Sequence, residues 1–509
     1  MTPVQPDRAA TRTTSTPPGR RASLGGRGLV AVAASMLSMC SVLAGAAAGQ
    51  TAADAAVATG PAGLRADYRE VAAQLLGAAL VDDDGWAKLE HLTQRIGHRL
   101  SGSPQLEQAI QWAAQTMRLE GLAVRLQPVE VPLWVRGEES LELLEPVGRQ
   151  LAMLGLGMSV GTPEEGIEAD VVAVRGWDDL AALSDDEVRG RIVLFAVPWS
   201  GYGSVVQYRA NAASRAAARG AVAVLVRSAT GRSLYTPHTG SLRYADDAGR
   251  IPAAAITVED AEWLAGLSEA GVPVRVRLRM AARTLPDALS HNVIAEIAGH
   301  ERPDEVVVIG GHFDSWDVGQ GAHDDGAACV AAWHALTLIQ RAGLVPRRTL
   351  RVVLWTNEEN GLRGGRAYRE SLGDEVSKHV AAIEMDGGAE RPVGFGFTLP
   401  GADDDPDLAA AQQAALETLR EIASYFSEID ADTISEGGGG ADIGPLMRDG
   451  VPGMALRTVG EHYFDWHHTH ADTLDKVEPT DFRRAVALFA VMGYVLADMP
   501  GTLGAPPPR

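Results

Sequence analysis

Apolar positions in the C-terminal half of the chain alternate between two patterns. Short continuous runs such as EVVVIGG, TLRVVLWT and HVAAIEM are typical of strands that are buried on both faces. Between them, GAACVAAWHALTLIQRAG and PTDFRRAVALFAVMGYVLADM repeat their apolar residues at helical spacing. Strands that alternate with helices predict an α/β fold, with a mostly parallel sheet that carries helices on both faces. We assign residues 286–500 to this domain.

The preceding segment, residues 161–285, has a different pattern. It holds the short β-rich runs DVVAV, RIVLFAV, AVAVLV and AAAITV, with one helical stretch, RANAASRAAARG, among them. Its polar residues are scattered and form no metal-ligand set. We therefore predict an inserted β-rich domain here, the alternative being that these strands belong to one large sheet. Residues 49–160 are expected to form the N-terminal part of the α/β domain.

The first 48 residues have the pattern of an export signal. Arginines dominate the start, an apolar run extends from Leu29 to about Gly45, and small residues follow. The run is too short and too rich in Ala and Gly for a stable membrane span. We expect the mature protein to be periplasmic or secreted, with Cys40 as a candidate for lipid attachment. The Pro-rich tail, residues 501–509, is expected to be disordered.

The overall charge narrows the possible partners. Acidic residues outnumber basic ones, 66 to 45, which gives a formal net charge of −21. Binding to nucleic acid requires clustered positive charge along the phosphate backbone. The composition therefore excludes nucleic acid as an expected partner and leaves small molecules and proteins.

Residues of the types that commonly bind metals follow several of the predicted strands. The candidates at or after strand ends are His312, Glu358, Glu359, Asp386 and the histidines between His462 and His470, while Asp324 and Asp325 lie in a Gly-rich loop that precedes a helix. Each alone has an ordinary structural interpretation, such as a helix N-cap for the aspartate pair. In open α/β sheets, however, ligands bind at the carboxyl ends of the strands. Imidazole and carboxylate groups gathered there suit zinc.

Four segments carry a family resemblance: GGHFDSWDVGQGAHDDGAA, LWTNEENGLRGG, IEMDGG and HHTHADT. They resemble the co-catalytic zinc aminopeptidase and glutamate carboxypeptidase superfamily. Within it they look most like the carboxypeptidase Q group, the plasma glutamate carboxypeptidase-like dipeptidases. The resemblance implies the zinc exopeptidase fold. The segment IPAAAITVEDAEWL is similar to a protease-associated domain, which would then be the inserted unit.

The resemblance also implies roles for the candidate residues. Two Zn²⁺ per subunit would be bound by His312 and Asp386, by Glu359 and His468, and by Asp324 as the bridge between them. Glu358 would be the general base. From the residues alone, His467, His468 and His470 are nearly equivalent. The family places its ligand four residues before the aspartate of an Asp-Thr pair, here Asp472, and this selects His468.

Neighbouring residues have implied roles as well. Asp314 would orient His312 through its other ring nitrogen, Asp472 would support the site from behind the ligands, and the Asp324–Asp325 peptide would be cis. Ser435, Asp442 and Tyr463 are candidate contacts to the substrate.

The function that the resemblance implies is that of an exported di-zinc exopeptidase. It would hydrolyse dipeptides or short peptides through a metal-bridging hydroxide, as a homodimer. An aminopeptidase on the same scaffold is the first alternative. A non-catalytic receptor-like ectodomain would require lost ligands, and all of them are present. A glutaminyl cyclase of the same fold would carry one zinc.

Overall fold

Two eight-stranded sheets organise residues 62–504, the part of the chain that the structure, a computed structural model, describes. The predicted export signal, with Cys40, and the last residues of the predicted tail lie outside it. The strands are β1 Ala123–Val135, β2 Glu139–Glu145, β3 Arg149–Leu151, β4 Met153–Gly155, β5 Ile167–Val174, β6 Ile192–Phe195, β7 Ala223–Arg227, β8 Ala253–Ile256, β9 Arg275–Met280, β10 Arg283–Ile297, β11 Arg302–His312, β12 Arg348–Trp355, β13 His379–Glu384, β14 Pro392–Thr398, β15 Thr433–Glu436 and β16 Gly453–Thr458.

The helices lie between these strands. The α-helices are α1 Ala62–Asp67, α2 Arg69–Val81, α3 Asp84–Glu90, α4 Pro104–Leu119, α5 Trp177–Ala182, α6 Asp185–Val188, α7 Tyr202–Ala217, α8 Val258–Glu269, α9 Ala327–Arg341, α10 Arg363–Leu372, α11 Pro406–Ala423, α12 Gly444–Arg448, α13 Tyr463–Trp466 and α14 Pro479–Asp498. Shorter π-helical and 3-10 turns span His91–Ile96, Ala322–Gly326, Gly373–Lys378, Ser424–Ile429 and Leu474–Lys476. Among these described helices, none is long and apolar enough to cross a membrane.

The first sheet has the order β1-β10-β12-β11-β13-β16-β14-β15. Its four central strands, β12, β11, β13 and β16, run parallel, as the continuous apolar runs predict. The pairs β1–β10, β10–β12 and β14–β16 are antiparallel. The pair β14–β15 is parallel as well, so four of the seven strand pairs in this sheet are parallel and three are antiparallel. The sequence pattern did not reveal β14, whose apolar residues are separated by glycines, or β15, which has only four residues.

Both faces of the first sheet are covered, because successive strand residues point to opposite sides. Val307 and Ile309 of β11 pack in a core with α9 and α14, whereas Val308 packs in a second core with α10 and α12. In α9 every residue from Ala327 to Ile339 is buried. Its alanines let the helix lie close to the strands that carry the candidate ligands.

The second sheet has the order β3-β2-β9-β5-β6-β7-β8-β4 and has its own apolar cores. The chain leaves the first sheet at the end of β1 and returns to it at Arg283, which pairs with Val135. Strands β5 to β9, which lie between these two points, therefore do not join the first sheet. Strands β2 to β4 also belong to the second sheet, although they precede residue 161. The predicted domain boundary at residue 161 and the likeness to a protease-associated domain stay predictions.

Candidate metal and active site

The central strands of the first sheet bring the candidate ligands to one edge. His312 is the last residue of β11, Glu358 and Glu359 follow β12, and Asp386 follows β13. His468 lies beyond β16, after the short helix α13. Since β11, β12, β13 and β16 are parallel, their carboxyl ends meet, and this is the arrangement that the strand-end pattern predicts.

The other four predicted ligands lie around the carboxylate of Asp324. Its Oδ1 lies 3.1 Å from His312 Nε2, and its Oδ2 lies 3.1 Å from His468 Nε2. His312 Nε2 is also 3.7 Å from Asp386 Oδ1, and His468 Nε2 is 3.0 Å from Glu359 Oε2. The donor atoms thus form two groups, one at each oxygen of Asp324.

The chemistry of these donors fits a bound cation. His312, Asp324, Glu359 and His468 are all buried. Asp324 Oδ2 and Glu359 Oε1 receive no well-directed hydrogen bond from the described residues. Burial, with the charge of Asp324 adding to it, raises the pKa of Glu359 to about 7. Buried carboxylates without hydrogen-bond donors are costly unless a cation neutralises them, and mixed histidine and carboxylate ligands suit zinc.

Glu358 lies beside the ligands and lines the cavity above them. This cavity has a volume of about 750 Å³ and is also lined by Asp324, Glu359 and Asp386. Its walls come from α7 and the segment between β7 and β8 on one side, and from the loops after β12 and β13 on the other. Burial, together with the charges of Asp386 and Glu359, raises the pKa of Glu358 well above its usual range. The side chain therefore has a greater affinity for a proton than an exposed glutamate has.

Asp314 supports the site differently from the expectation. The atom that faces His312 Nδ1 is the main-chain oxygen of Asp314, at 3.0 Å, whereas the nearer carboxylate oxygen lies 4.0 Å away. The carboxylate instead accepts hydrogen bonds from the backbone N–H groups of Glu358 (3.0 Å) and Glu359 (3.3 Å) and from the Ser101 hydroxyl (2.8 Å). Asp314 thereby fixes the loop that follows β12.

Asp472 fixes the turn that presents Asp324. Its carboxylate accepts hydrogen bonds from the backbone N–H groups of Ala322 (3.0 Å), His323 (2.7 Å) and Asp324 (3.3 Å). Asp472 therefore acts on the main chain of this turn and not on a side chain of the candidate ligands.

Asp325 connects the same turn to His312. The Asp324–Asp325 peptide is cis, and Asp325 Oδ2 accepts a hydrogen bond of 3.0 Å from the His312 backbone N–H. A Cβ at position 311 would lie 2.2 Å from this oxygen, so the residue before His312 has to be glycine. This close approach joins the end of β11 to the turn that carries Asp324.

Arg99 is a site residue that sequence reasoning missed. Its buried guanidinium donates hydrogen bonds to the carbonyl oxygens of Phe313 (3.0 Å), Gly97 (2.8 Å), Gln320 (2.9 Å) and Gly321 (2.9 Å). It thereby holds both ends of the loop between His312 and Asp324. Nothing in the local sequence RLSGSP, residues 99–104, indicates a contact with this distant loop.

The segment between β7 and β8 supplies another support that the sequence did not reveal. The Thr239 backbone N–H donates to the His468 carbonyl oxygen at 3.0 Å, and the Thr239 carbonyl oxygen lies 3.4 Å from His468 Nδ1. His468 itself has a positive φ of 60°, a conformation that few non-glycine residues adopt. Trp316 packs edge-on against its ring. These contacts direct Nε2 of His468 toward the carboxylates.

The three candidate histidines are no longer equivalent once their positions are compared. His468 contacts both Asp324 and Glu359, whereas His467 Nε2 is 3.8 Å from Asp324 Oδ2, with its ring stacked on that of His468. His470 is exposed. The geometry favours His468, with His467 as its nearest competitor.

The candidate substrate residues separate in the same way. Tyr463 lines the cavity, whereas Ser435 and Asp442 are absent from its lining. Ser435 belongs to β15 at the edge of the sheet. Asp442 is buried beside Glu384, whose carboxylate accepts the backbone N–H of Asp442 at 3.3 Å. Only Tyr463 lies where a substrate in this cavity would contact it.

Comparisons with known proteins agree with this architecture. Residues 292–492 match the model of peptidase family M28. Carboxypeptidase Q of Mus musculus is 41% identical over 438 residues, which cover 85% of this chain and 90% of the mouse protein.

Solved structures give a similar result. The M28 peptidase precursor of Shewanella amazonensis SB2B is 32% identical, with a TM-score of 0.81, and the match covers 87% of this chain and 100% of that one. A zinc aminopeptidase of Bacillus subtilis has a TM-score of 0.61 at 18% identity, over 82% of this chain and 96% of its own, and shows the likeness of fold alone.

Proposed function

Since the chain belongs to peptidase family M28, where it is similar to carboxypeptidase Q, we propose that it is an exported exopeptidase that hydrolyses dipeptides or short peptides at a two-zinc site. Membership of this family makes the protein a zinc metallopeptidase with a mixed α/β fold. The number of zinc ions, the identity of the base, the preference for short peptides and the export are the proposal.

The observation that carries the proposal is the position of Asp324 between two groups of donor atoms. His312 and Asp386 would hold one zinc ion, Glu359 and His468 the other, and Asp324 would contribute one oxygen to each. Bound zinc acts as a Lewis acid on a carbonyl oxygen and lowers the pKa of water toward about 7.

Glu358 would transfer a proton, and Tyr463 would donate a hydrogen bond. Glu358 is at the cavity wall, and its backbone is fixed by Asp314. Its raised pKa favours uptake of a proton from the attacking water and later transfer of that proton to the leaving amine. Burial and nearby carboxylates raise the pKa of Tyr463 well above its usual range, so its hydroxyl keeps its proton and can donate to the oxyanion that develops on the scissile carbonyl.

The remaining parts of the proposal come from the sequence. The pattern of residues 1–48 supports export to the periplasm or the exterior, with Cys40 as a candidate for lipid attachment. Residues 161–285 would form a protease-associated-like insert, flanked by the two parts of the peptidase domain, 49–160 and 286–500. We also propose a homodimer and, given the net charge of −21, no nucleic-acid partner.

A hydrolysis series tests this function. The purified zinc enzyme is offered dipeptides, longer peptides and aminoacyl anilides, and kcat/KM is measured for each. We expect dipeptides to be cleaved fastest. Rapid anilide turnover with inert dipeptides would identify an aminopeptidase instead.

The base is tested by Glu358→Gln, which keeps the size of the side chain. We expect kcat to fall by about 10²–10⁴-fold, with KM and zinc content near those of the wild type. Glu130→Gln, at an exposed position on β1, is the matched control and should be fully active. If Glu358→Gln keeps wild-type kcat, another group is the base.

A further inference from the structure

A second cavity adjoins the one above the candidate metal site. It has a volume of about 360 Å³ and lies beside β16, where Leu456 and Thr458 line it. Three residues line both cavities, namely Asp386, Tyr463 and Phe464. Asp386 belongs to the candidate metal site, whereas the other two come from α13 and lie between the cavities. The contacts of these two side chains therefore decide whether a peptide can extend from one cavity into the other.

Phe464 is the half-buried member of this pair, and its ring packs against residues from the other side of the cavity. The ring of Tyr202, the first residue of α7, is stacked on it, with ring centres 5.0 Å apart and an angle of 22° between the planes. Trp199, which precedes α7, makes a tilted contact at 5.3 Å. Tyr202 lines the first cavity, whereas Trp199 is absent from both linings. The three rings thus form an aromatic bridge, Trp199–Tyr202–Phe464, between α7 and α13.

The loop that follows β7 holds this aromatic bridge from outside the cavities. A Cβ at Gly231 would lie 2.8 Å from Trp199 Cδ1, so the loop packs closely against the indole. The next residue, Arg232, pairs with Asp465 at 3.4 Å, directly after Phe464 in α13. Both ends of the aromatic bridge are therefore attached to the same loop, and this restricts their separation.

The stacked rings leave no passage for a peptide chain. An extended chain occupies about 4.7–4.9 Å between its neighbours. Carbon atoms in contact are themselves about 3.5–4.0 Å apart, so the 5.0 Å between the ring centres of Tyr202 and Phe464 is filled by the rings. A chain that occupied both cavities along this route would have to separate the two rings and lose their stacking energy.

We propose that Phe464, held by Tyr202 and Trp199, limits the length of the peptide that the enzyme accepts. The cavity above the metal site then accommodates a short peptide, whereas a longer chain collides with the ring. This inference rests on the proposed peptidase function and adds the residue that restricts it to short substrates. A clash with the competing substrate is a general source of specificity. Without the ring the two cavities would be continuous at α13, and a longer chain would lie in both.

A series of alanine peptides measures this limit. The zinc-loaded enzyme is offered Ala-Ala, trialanine and tetraalanine, and kcat/KM is determined for each. We expect the wild type to prefer Ala-Ala. In Phe464→Ala the ratio of kcat/KM for tetraalanine to that for Ala-Ala should rise at least tenfold, whereas Phe464→Tyr, which keeps the ring, should have the wild-type ratio. Mass spectrometry of the first products should show direct release of Ala-Ala from tetraalanine by Phe464→Ala alone.

Trp199→Ala tests the same aromatic bridge from outside both cavities. Since Trp199 contacts Phe464 without lining either cavity, its removal should loosen the ring and raise the ratio in the same direction, by a smaller factor. Zinc content and circular dichroism are measured for every variant, because Phe464 is close in sequence to His468. If Phe464→Ala loses zinc, the ratio in Trp199→Ala decides. Tyr235→Ala, which changes an exposed ring absent from both linings, is the control.

Two results would overturn the inference. One is a wild type that cleaves tetraalanine at least as well as Ala-Ala, and the other is a zinc-loaded Phe464→Ala or, where that variant loses zinc, a Trp199→Ala that keeps the wild-type ratio. Failure of the proposed function is a separate outcome, since a wild type that cleaves none of these peptides nor any other dipeptide would contradict that function directly.

Discussion

Replacement of Arg99 by methionine should destabilise the loop between His312 and Asp324. The guanidinium donates to four main-chain carbonyl oxygens, those of Gly97, Phe313, Gln320 and Gly321. A buried acceptor left without a donor costs about 1–3 kcal/mol. The sum over the four acceptors is an upper limit on the cost of the substitution. Methionine carries no charge, so the variant does not incur the several kcal/mol that burial of the guanidinium charge costs. We expect a loss of about 3–5 kcal/mol in the free energy of unfolding.

The loss of stability should be larger in this loop than in the rest of the protein. Hydrogen–deuterium exchange of residues 313–321 should be faster in Arg99→Met than in the wild type, and the urea midpoint should be lower. Zinc content should fall as well, since this loop joins His312 to Asp324. Arg99→Lys keeps the charge and some of the donors and should be intermediate. Arg118→Met, at an exposed position at the end of α4, is the control.

The reasoning is refuted if Arg99→Met unfolds within about 1 kcal/mol of the wild type and exchanges its loop amides at the same rate. Such a result would mean that water or rearranged main chain satisfies the four carbonyl groups as well as the guanidinium does.

Two further predictions concern histidines. His468→Ala should lose about one zinc per chain while His470→Ala keeps the wild-type content, measured by elemental analysis after dialysis; the reverse would place the ligand at position 470. Burial, with the charge of Lys88 adding to it, lowers the pKa of His334 to about 4. The unfolded chain binds this proton near pH 6.5, so the free energy of unfolding should fall from pH 6.5 to pH 4, by about 3 kcal/mol from this group. Urea titrations at several pH values give the free energy of unfolding as a function of pH. Between pH 6.5 and pH 4 this free energy should change less with pH in His334→Gln than in the control His300→Gln. Equal pH dependence in the two variants would contradict the assignment.

The parallel centre of the sheet explains which ligands could be predicted. Each strand there is a continuous apolar run, so its end is visible in the sequence and its carboxyl terminus must lie on the shared edge. His312, Glu359 and Asp386 follow directly from this rule. Strands β14 and β15 could not be predicted in this way, because the apolar residues of β14 are separated by Gly394 and Gly396 and β15 has only four residues.

The supporting contacts could not be predicted for a different reason. Arg99 bonds to Phe313 across 214 positions of the chain, and Thr239 meets His468 across 229. Both supports use main-chain carbonyl groups, which every residue has, so no residue type marks them. Likewise the choice among adjacent histidines depends on which ring faces Asp324, and a one-residue spacing does not determine that.

The account depends most on the two-metal arrangement around Asp324. Anomalous diffraction at the zinc absorption edge, from crystals of the zinc-loaded full-length mature enzyme, tests it directly. We predict two zinc peaks per chain, one beside His312 and Asp386 and the other beside Glu359 and His468, with the Asp324 carboxylate between them. A single peak, or a second peak at His467 or His470, would contradict the account.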